Sequence, residues 1–250
     1  MSAHTTIDTS WRMAFRSLRQ PYRVSGWMIV LMALVPLYIF IAKGVAGGVL
    51  HIPSTPLDRA IPFVPEWGLV YGALYIVLIL LPVLVVREDA HLRRMFLTYV
   101  SVWVVAYVCF LLYPTAAPRP AKVTGEGFAI WALQFLYSSD PPYNCFPSLH
   151  VAHSVVSALM CHRINRRVGF IAFTCAALVA VSTLFTKQHY VLDVVAGALM
   201  ACAAYVFFFR DVSRERITEV ERLLAPIFAT AVLAVAGLGL AAFWIVYQLR

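Results

Sequence analysis

Charge is what this chain has least of. Of its 250 residues only 13% are Asp, Glu, Lys or Arg, while 62% are hydrophobic. A water-soluble domain of this length would carry about a quarter charged residues, so the composition excludes a soluble globular protein and points to one that lives in a membrane. There is no Cys-x-x-Cys pair to suggest a metal site. The five cysteines (Cys109, Cys145, Cys161, Cys175 and Cys202) are odd in number, and four lie in or beside apolar runs. They read as packing residues rather than a disulfide framework. Internal repeats and low-complexity segments are lacking. No signal peptide is apparent, because the first apolar run comes late and has no small-residue cleavage site. The net charge of +8 does not argue for nucleic acid, since the basic residues cluster between apolar runs. Membrane topology and anionic headgroups account for them.

What the chain has in quantity is apolar runs. About 20 such residues span a bilayer as a helix, which predicts spans at 26–43, 67–86, 95–113, 147–162, 168–186, 190–209 and 225–248. The fourth is short. The expectation is an all-α, polytopic membrane protein in three parts: an N-terminal segment 1–25, a six-helix membrane domain 26–209, and a loop with a seventh span over 210–250. That last span reads either as a packing helix or as a contact with another subunit. In "WRMAFRSLRQPYR" Trp11, Phe15 and Leu18 follow helical spacing while Arg12, Arg16, Arg19 and Arg23 form their own stripe. This suits an interfacial helix on an anionic leaflet, or simply an arginine cluster that sets topology. With the N-terminus inside, fourteen arginines fall on inner segments and six Lys or Arg on outer ones. The positive-inside rule therefore expects a cytoplasmic N-terminus. The fourth and sixth spans then both begin on the outer side, in a membrane expected to be a bacterial plasma membrane.

Ionisable residues are costly inside such spans and usually have a job. "KQHYVLDVVAG" sets His189 and Asp193 four residues apart, on one face of a helix. "NCFPSLHVAHS" opens the fourth span with Pro147, Ser148 and His150, and His153 follows one turn later. "YPTAAPRP" stiffens the outer loop around Arg119. Together these put histidines, a carboxylate, a serine, an arginine and Lys187 on one rim. An imidazole whose second nitrogen donates to a carboxylate is an oriented nucleophile. A second histidine can protonate a leaving alkoxide. Arg119, Lys187, the Ser148 hydroxyl and N–H, and a helix N-terminus can hold phosphoryl oxygens. Neither a metal nor a cofactor is called for. His150-x-x-His153 lacks the glutamate of the zinc pattern. The loop "GEGFAIWALQFLYSS" over 125–139 could guide lipid tails from the outer interface, or be an ordinary packed loop.

"PSLH" followed by Ser182-x6-His189-x3-Asp193-x3-Gly197 resembles the second and third signatures of the type 2 phosphatidic acid phosphatase superfamily, and Arg119-Pro120 resembles the end of the first. The resemblance runs from about Tyr113 to Gly197. It implies a six-helix core with the site on one rim and a phosphohistidine intermediate formed without metal. His189 would be the nucleophile, Asp193 its orienting partner and His150 the acid. Two cations of the family's pattern are replaced here by Leu112 and Thr183. The strings "IPFVPEW", "YPTAAPR", "CFPSLHVAHS" and "HYVLDVVAG" look most like the inositol phosphorylceramide synthase branch, which moves a phosphorylated headgroup between lipids. Fewer cations suit a phosphodiester, with about one negative charge, better than a monoester, with about one and a half to two. Headgroup transfer between membrane lipids is therefore the first expectation. A lipid phosphate phosphatase acting on phosphatidate-like or polyprenyl phosphates is the second. A transporter or lipid-binding protein with a structural His–Asp pair is the reading from another class. The related vanadium haloperoxidases are soluble and use a full cationic cage.

Overall fold

The computed structural model describes residues 12–14, 26–211, 213 and 217–250. Apart from 12–14, the arginine-rich stretch 11–23 lies outside them. The described chain is helical, in the order α1 (Gly26–Val45), α2 (Pro56–Ala60), α3 (Trp67–Val85), α4 (Asp89–Leu112), α5 (Phe128–Ser139), α6 (Leu149–Ile164), α7 (Arg166–Phe185), α8 (Val191–Phe209) and α9 (Glu219–Gln248). Six of them, α1, α3, α4, α7, α8 and α9, are long and apolar enough to cross a membrane. Many of their large apolar side chains face outward, among them Phe40, Leu199, Phe207 and Leu238. A protein in water would bury such residues, whereas one in lipid need not. The chain is a polytopic all-α membrane protein.

The predicted fourth span is α6, with only 16 residues. At 1.5 Å per residue it rises about 24 Å. Its shortness goes with its place at the centre of the bundle, where α3, α4, α7 and α8 pack around it. Ala152, Val156, Ala158, Met160 and Cys161 are all buried, as are the polar His153, Ser154, Ser157 and Arg163. Tyr99 of α4 donates to or accepts from Ser157 Oγ at 2.7 Å and stacks on His153 with ring centroids 4.2 Å apart.

Two predicted boundaries shift for a capping reason. α4 begins at Asp89 rather than 95 because the Glu88 carboxylate accepts the His91 N–H at 2.8 Å. α9 begins at Glu219 rather than 225 because Thr218 and Glu221 form a reciprocal capping box. The buried Glu221 carboxylate also accepts the backbone N–H groups of Arg87 and Glu88 at 2.8 and 2.7 Å. This ties α9 to the turn between α3 and α4. The 125–139 loop proves largely helical, as α5. Its Trp131 packs against Phe243 of α9 at a ring distance of 4.5 Å.

The turn between α6 and α7 is a single residue, Asn165, which accepts the N–H groups of Arg167 and Val168. It closes this tightly because of Gly169. A Cβ there would stand 2.3 Å from the His162 Cα. At the other end of α6, the loops are joined by isolated bridges, His51 to Thr115 and Ala116 to Tyr143. Those loops carry the site.

Candidate active site

α7 ends in a sharp reversal. The Thr183 carbonyl accepts the N–H groups of Gln188 and His189 at 2.8 and 3.3 Å. Just before them Lys187 takes a left-handed conformation, φ 53°, which costs a non-glycine residue energy and is kept where surroundings over-determine it. α8 then starts at Val191 with two of its first amides answered by carboxylates. Asp193 Oδ2 accepts the Tyr190 N–H at 2.8 Å, and Asp58 Oδ1 of α2 accepts the Val191 N–H at 2.7 Å. This matches the need of a helix N-terminus for acceptors and negative charge.

Asp193 and Gly197 lie one turn apart on α8, whereas His189, expected on the same helical face, falls two residues before the helix begins. Gly197 is where α8 meets α6: a Cβ would stand 2.4 Å from the Ser148 carbonyl oxygen. Beside it the Ser148 N–H donates to the Asp193 carbonyl at 3.0 Å. That amide, expected to face an anion, is thus occupied by α8, because the two helices press together here. The Ser148 hydroxyl caps α6 by accepting the Val151 N–H at 3.3 Å. Asp193 Oδ2 lies 3.4 Å from His189 Nδ1, an ion-pair distance without full hydrogen-bond geometry. His189 Nε2 faces His150 Nδ1 at 3.3 Å. Carboxylate, imidazole and second imidazole therefore stand in a row. Tyr71 and Tyr75 of α3 meet the His150 ring edge to face.

Arg119 reaches the same place from the loop between α4 and α5. Its guanidinium donates to the Asp140 carbonyl at 2.7 Å and to Asp140 Oδ2 at 3.4 Å. It also donates to Gln188 Oε1, the residue before His189, and lies over the Tyr137 ring at 4.3 Å. Asp140 accepts the Tyr38 hydroxyl at 2.8 Å. Burial pushes the Asp140 carboxyl above its ordinary value, with Arg119 and the Tyr38 hydroxyl pulling it part of the way back. Lys187 directs its ammonium to the carbonyls of Asp58 and Ile61, at 3.1 and 2.6 Å. The structure thus brings His150, His189, Asp193, Ser148 and Arg119 together, and sets Lys187 on the adjoining α2 turn. His153 turns to Tyr99 instead. Of the two positions where cations are replaced, Leu112 is exposed, and Thr183 is buried in support of the loop before His189.

Sequence reasoning missed Asp58, Asp140 and Gln188. One signal could have pointed to the acids, since Asp58, Glu66, Glu126 and Asp140 are the only carboxylates in the loops at the histidine end of the bundle. Among the described residues, four buried polar atoms without a hydrogen-bond partner gather at this spot: Arg119 Nε, Gln188 Nε2, His189 Nδ1 and Asp193 Oδ1. Buried polar groups are seldom left so, and such a gathering suits a polar ligand.

The family model described as the PAP2 superfamily matches residues 56–207, more than half of the chain. The chain belongs to the PAP2 superfamily. A relative within reach is a PA-phosphatase related-family protein of Dictyostelium discoideum, 24% identical over 134 residues. That alignment covers 48% of this chain and 24% of the relative, so the chain spans about a quarter of the length of the curated relative it matches. No solved structure matches the chain. The PAP2 match takes in α2 through most of α8, and so every residue of the site. α1 and α9 lie outside it.

Proposed function

We propose that this PAP2 protein is a membrane enzyme that transfers the phosphorylated part of a lipid phosphate ester through a covalent phosphohistidine at His189. The observation that carries this reading is the row Asp193–His189–His150. Asp193 holds the proton on Nδ1 and leaves the Nε2 lone pair for attack. As the N–P bond forms and the ester P–O bond breaks, the leaving alkoxide takes a proton from the His150 imidazolium. The neutral His150 then removes the proton of an incoming hydroxyl as that oxygen attacks phosphorus and the N–P bond breaks. Both histidines return to their starting states. Arg119 and the Ser148 hydroxyl are assigned to the phosphoryl oxygens, together with Lys187, whose ammonium has a third N–H beyond the two given to backbone carbonyls. No cofactor is assigned.

The finer reading is headgroup transfer between lipids, as in the inositol phosphorylceramide synthase branch that the motifs resemble. The charge around the histidines supports it. Arg119 is already partly balanced by Asp140, and the Lys187 ammonium is held by the α2 turn. A site so modestly cationic suits the single charge of a diester. The Dictyostelium relative, described as PA-phosphatase related, favours a second reading in which water resolves the intermediate. On either reading the substrate is taken from the outer leaflet of what we assign as a bacterial plasma membrane, with the N-terminus cytoplasmic.

The test compares wild type with His189→Ala in detergent micelles containing EDTA. Each receives a lipid phosphomonoester, then a phosphoinositide with a lipid alcohol. New phospholipid without free phosphate, lost in the variant, is the expected result. Phosphate release alone would select the phosphatase. A variant as active as wild type would sink the histidine chemistry and leave the transporter or lipid-binding reading.

A further inference from the structure

A second feature with the chemistry of a binding site lies at the opposite end of α6 from His150, about 20 Å away along the helix. Between the Asn165 turn and the first turns of α9 is a cavity of about 600 Å³. Arg163, Arg166, Arg167 and Arg222 line it, with Asn165 and Leu223 beside them. The wall is fastened: Asn165 Nδ2 donates to the Arg222 carbonyl at 2.9 Å. Arg163 is buried and packs its guanidinium over Phe209 at 5.2 Å, whereas Arg166, Arg167 and Arg222 are exposed.

A topological signal requires only that arginines be numerous on one side. It does not require four of them, from two separate parts of the chain, around one concavity of ligand size. Arginine's planar fork is suited to phosphate oxygens, and exposed apolar side chains are close by in the chain. Phe170, Val220 and Leu223 all stand exposed beside the arginines in the chain. Charge beside exposed apolar surface is the pattern that receives a headgroup with its acyl chains. The arginine distribution expects this end of the bundle to face the leaflet where anionic lipids attract basic residues. Arg222 and Leu223 lie outside the segment that matches the PAP2 family model, so the cavity is a feature that α9 adds to the shared core.

We propose that this arginine-lined cavity binds the phosphate-bearing headgroup of an anionic phospholipid, on the face opposite the histidines. It is a site separate from the one that performs the transfer.

The test is native mass spectrometry of the full chain in detergent, titrated with cardiolipin, phosphatidylcholine or inorganic phosphate. Wild type should retain cardiolipin and not phosphatidylcholine. Arg166→Gln with Arg167→Gln should weaken retention about tenfold or more. Arg93→Gln with Arg210→Gln, which removes as much charge from the same side, should stay within about twofold. Thermal unfolding in lipid-free detergent, measured alongside, should be the same for both double variants, since all four arginines are exposed. Equal loss in the two double variants would reduce the site to a general charge effect and overturn the proposal. So would inorganic phosphate binding as tightly as cardiolipin, or cardiolipin retention lost in His189→Ala, which would move the lipid to the histidine end.

Discussion

The carbonyl oxygen of Ser148 sits where a side chain at position 197 would begin, 2.4 Å from the Cβ that Gly197 lacks. One glycine therefore sets the distance between the helix that carries His150 and the helix whose start follows His189 by two residues. Gly197→Ala should push α6 and α8 apart at the reacting groups. Displacements near 1 Å can cost about a hundredfold in rate, and overpacking costs about 1–3 kcal/mol. Gly72→Ala in α3, where an added Cβ meets nothing within 4 Å, is the matched control. Turnover and melting temperature should both fall in the first variant and hold in the second. Equal behaviour of the two would show that the close approach is not needed.

Asp193→Asn keeps an oxygen to accept the Tyr190 N–H and so should fold. It removes the carboxylate that, on the proposed mechanism, fixes the His189 tautomer. The rate of the covalent step should drop by about 10²–10⁴, with the melting temperature little changed. Rapid-quench detection of phosphoprotein checks it, and an undiminished burst in the variant would remove Asp193 from its positioning role.

Arg119→Lys preserves charge but not the fork that meets Asp140, Gln188 and the Tyr137 ring at once. A lysine cannot reproduce that set. The expected result is a loss in kcat/KM of about ten- to a hundredfold, the size of one or two charged hydrogen bonds. A variant within twofold of wild type would mean the guanidinium geometry is immaterial.

Acid stability should depend on Asp58. Burial pushes its carboxyl up, but hydrogen bonds from Thr55 and the Val191 N–H, together with the Lys187 charge, outweigh that and leave it below its ordinary value of 3.8. The unfolded chain then binds the proton more readily, so stability rises with pH through this window. The Asp58 contribution is present above the ordinary carboxylate value and disappears as pH falls through the depressed one. Asp140, shifted upward by burial, acts in the opposite sense, and stability falls as pH rises from the ordinary value through the raised one. Melting temperatures between about pH 5 and pH 3 should fall less steeply in Asp58→Asn than in wild type. Parallel curves would contradict the assignment.

How far the sequence reached can be judged residue by residue. Asp193 and Gly197 were legible from helical periodicity, and His189, which precedes α8, because an apolar chain makes each ionisable group conspicuous. His150 and Ser148 followed from the proline-marked start of α6. Asp58 and Asp140 were not, because their partners are distant in the chain: Val191 is 133 residues from Asp58, and Tyr38 is 102 from Asp140. Periodicity says nothing about such pairs. Lys187 was placed on the rim by its neighbours in sequence, yet its left-handed backbone accompanies an ammonium bound to the α2 turn. The start of α4 was missed since hydropathy sees the apolar stretch and not the Glu88 cap before it.

The buried Glu221 carboxylate has a bearing on which parts of this protein could be dispensed with. It is the acceptor for two main-chain amides in the turn that joins α3 to α4, well inside the segment shared with the family. A version trimmed after α8 would strip those amides of their acceptor and uncover the apolar flank of α3 on which α9 rests. The smallest self-sufficient unit here should therefore be larger than the segment that matches the family.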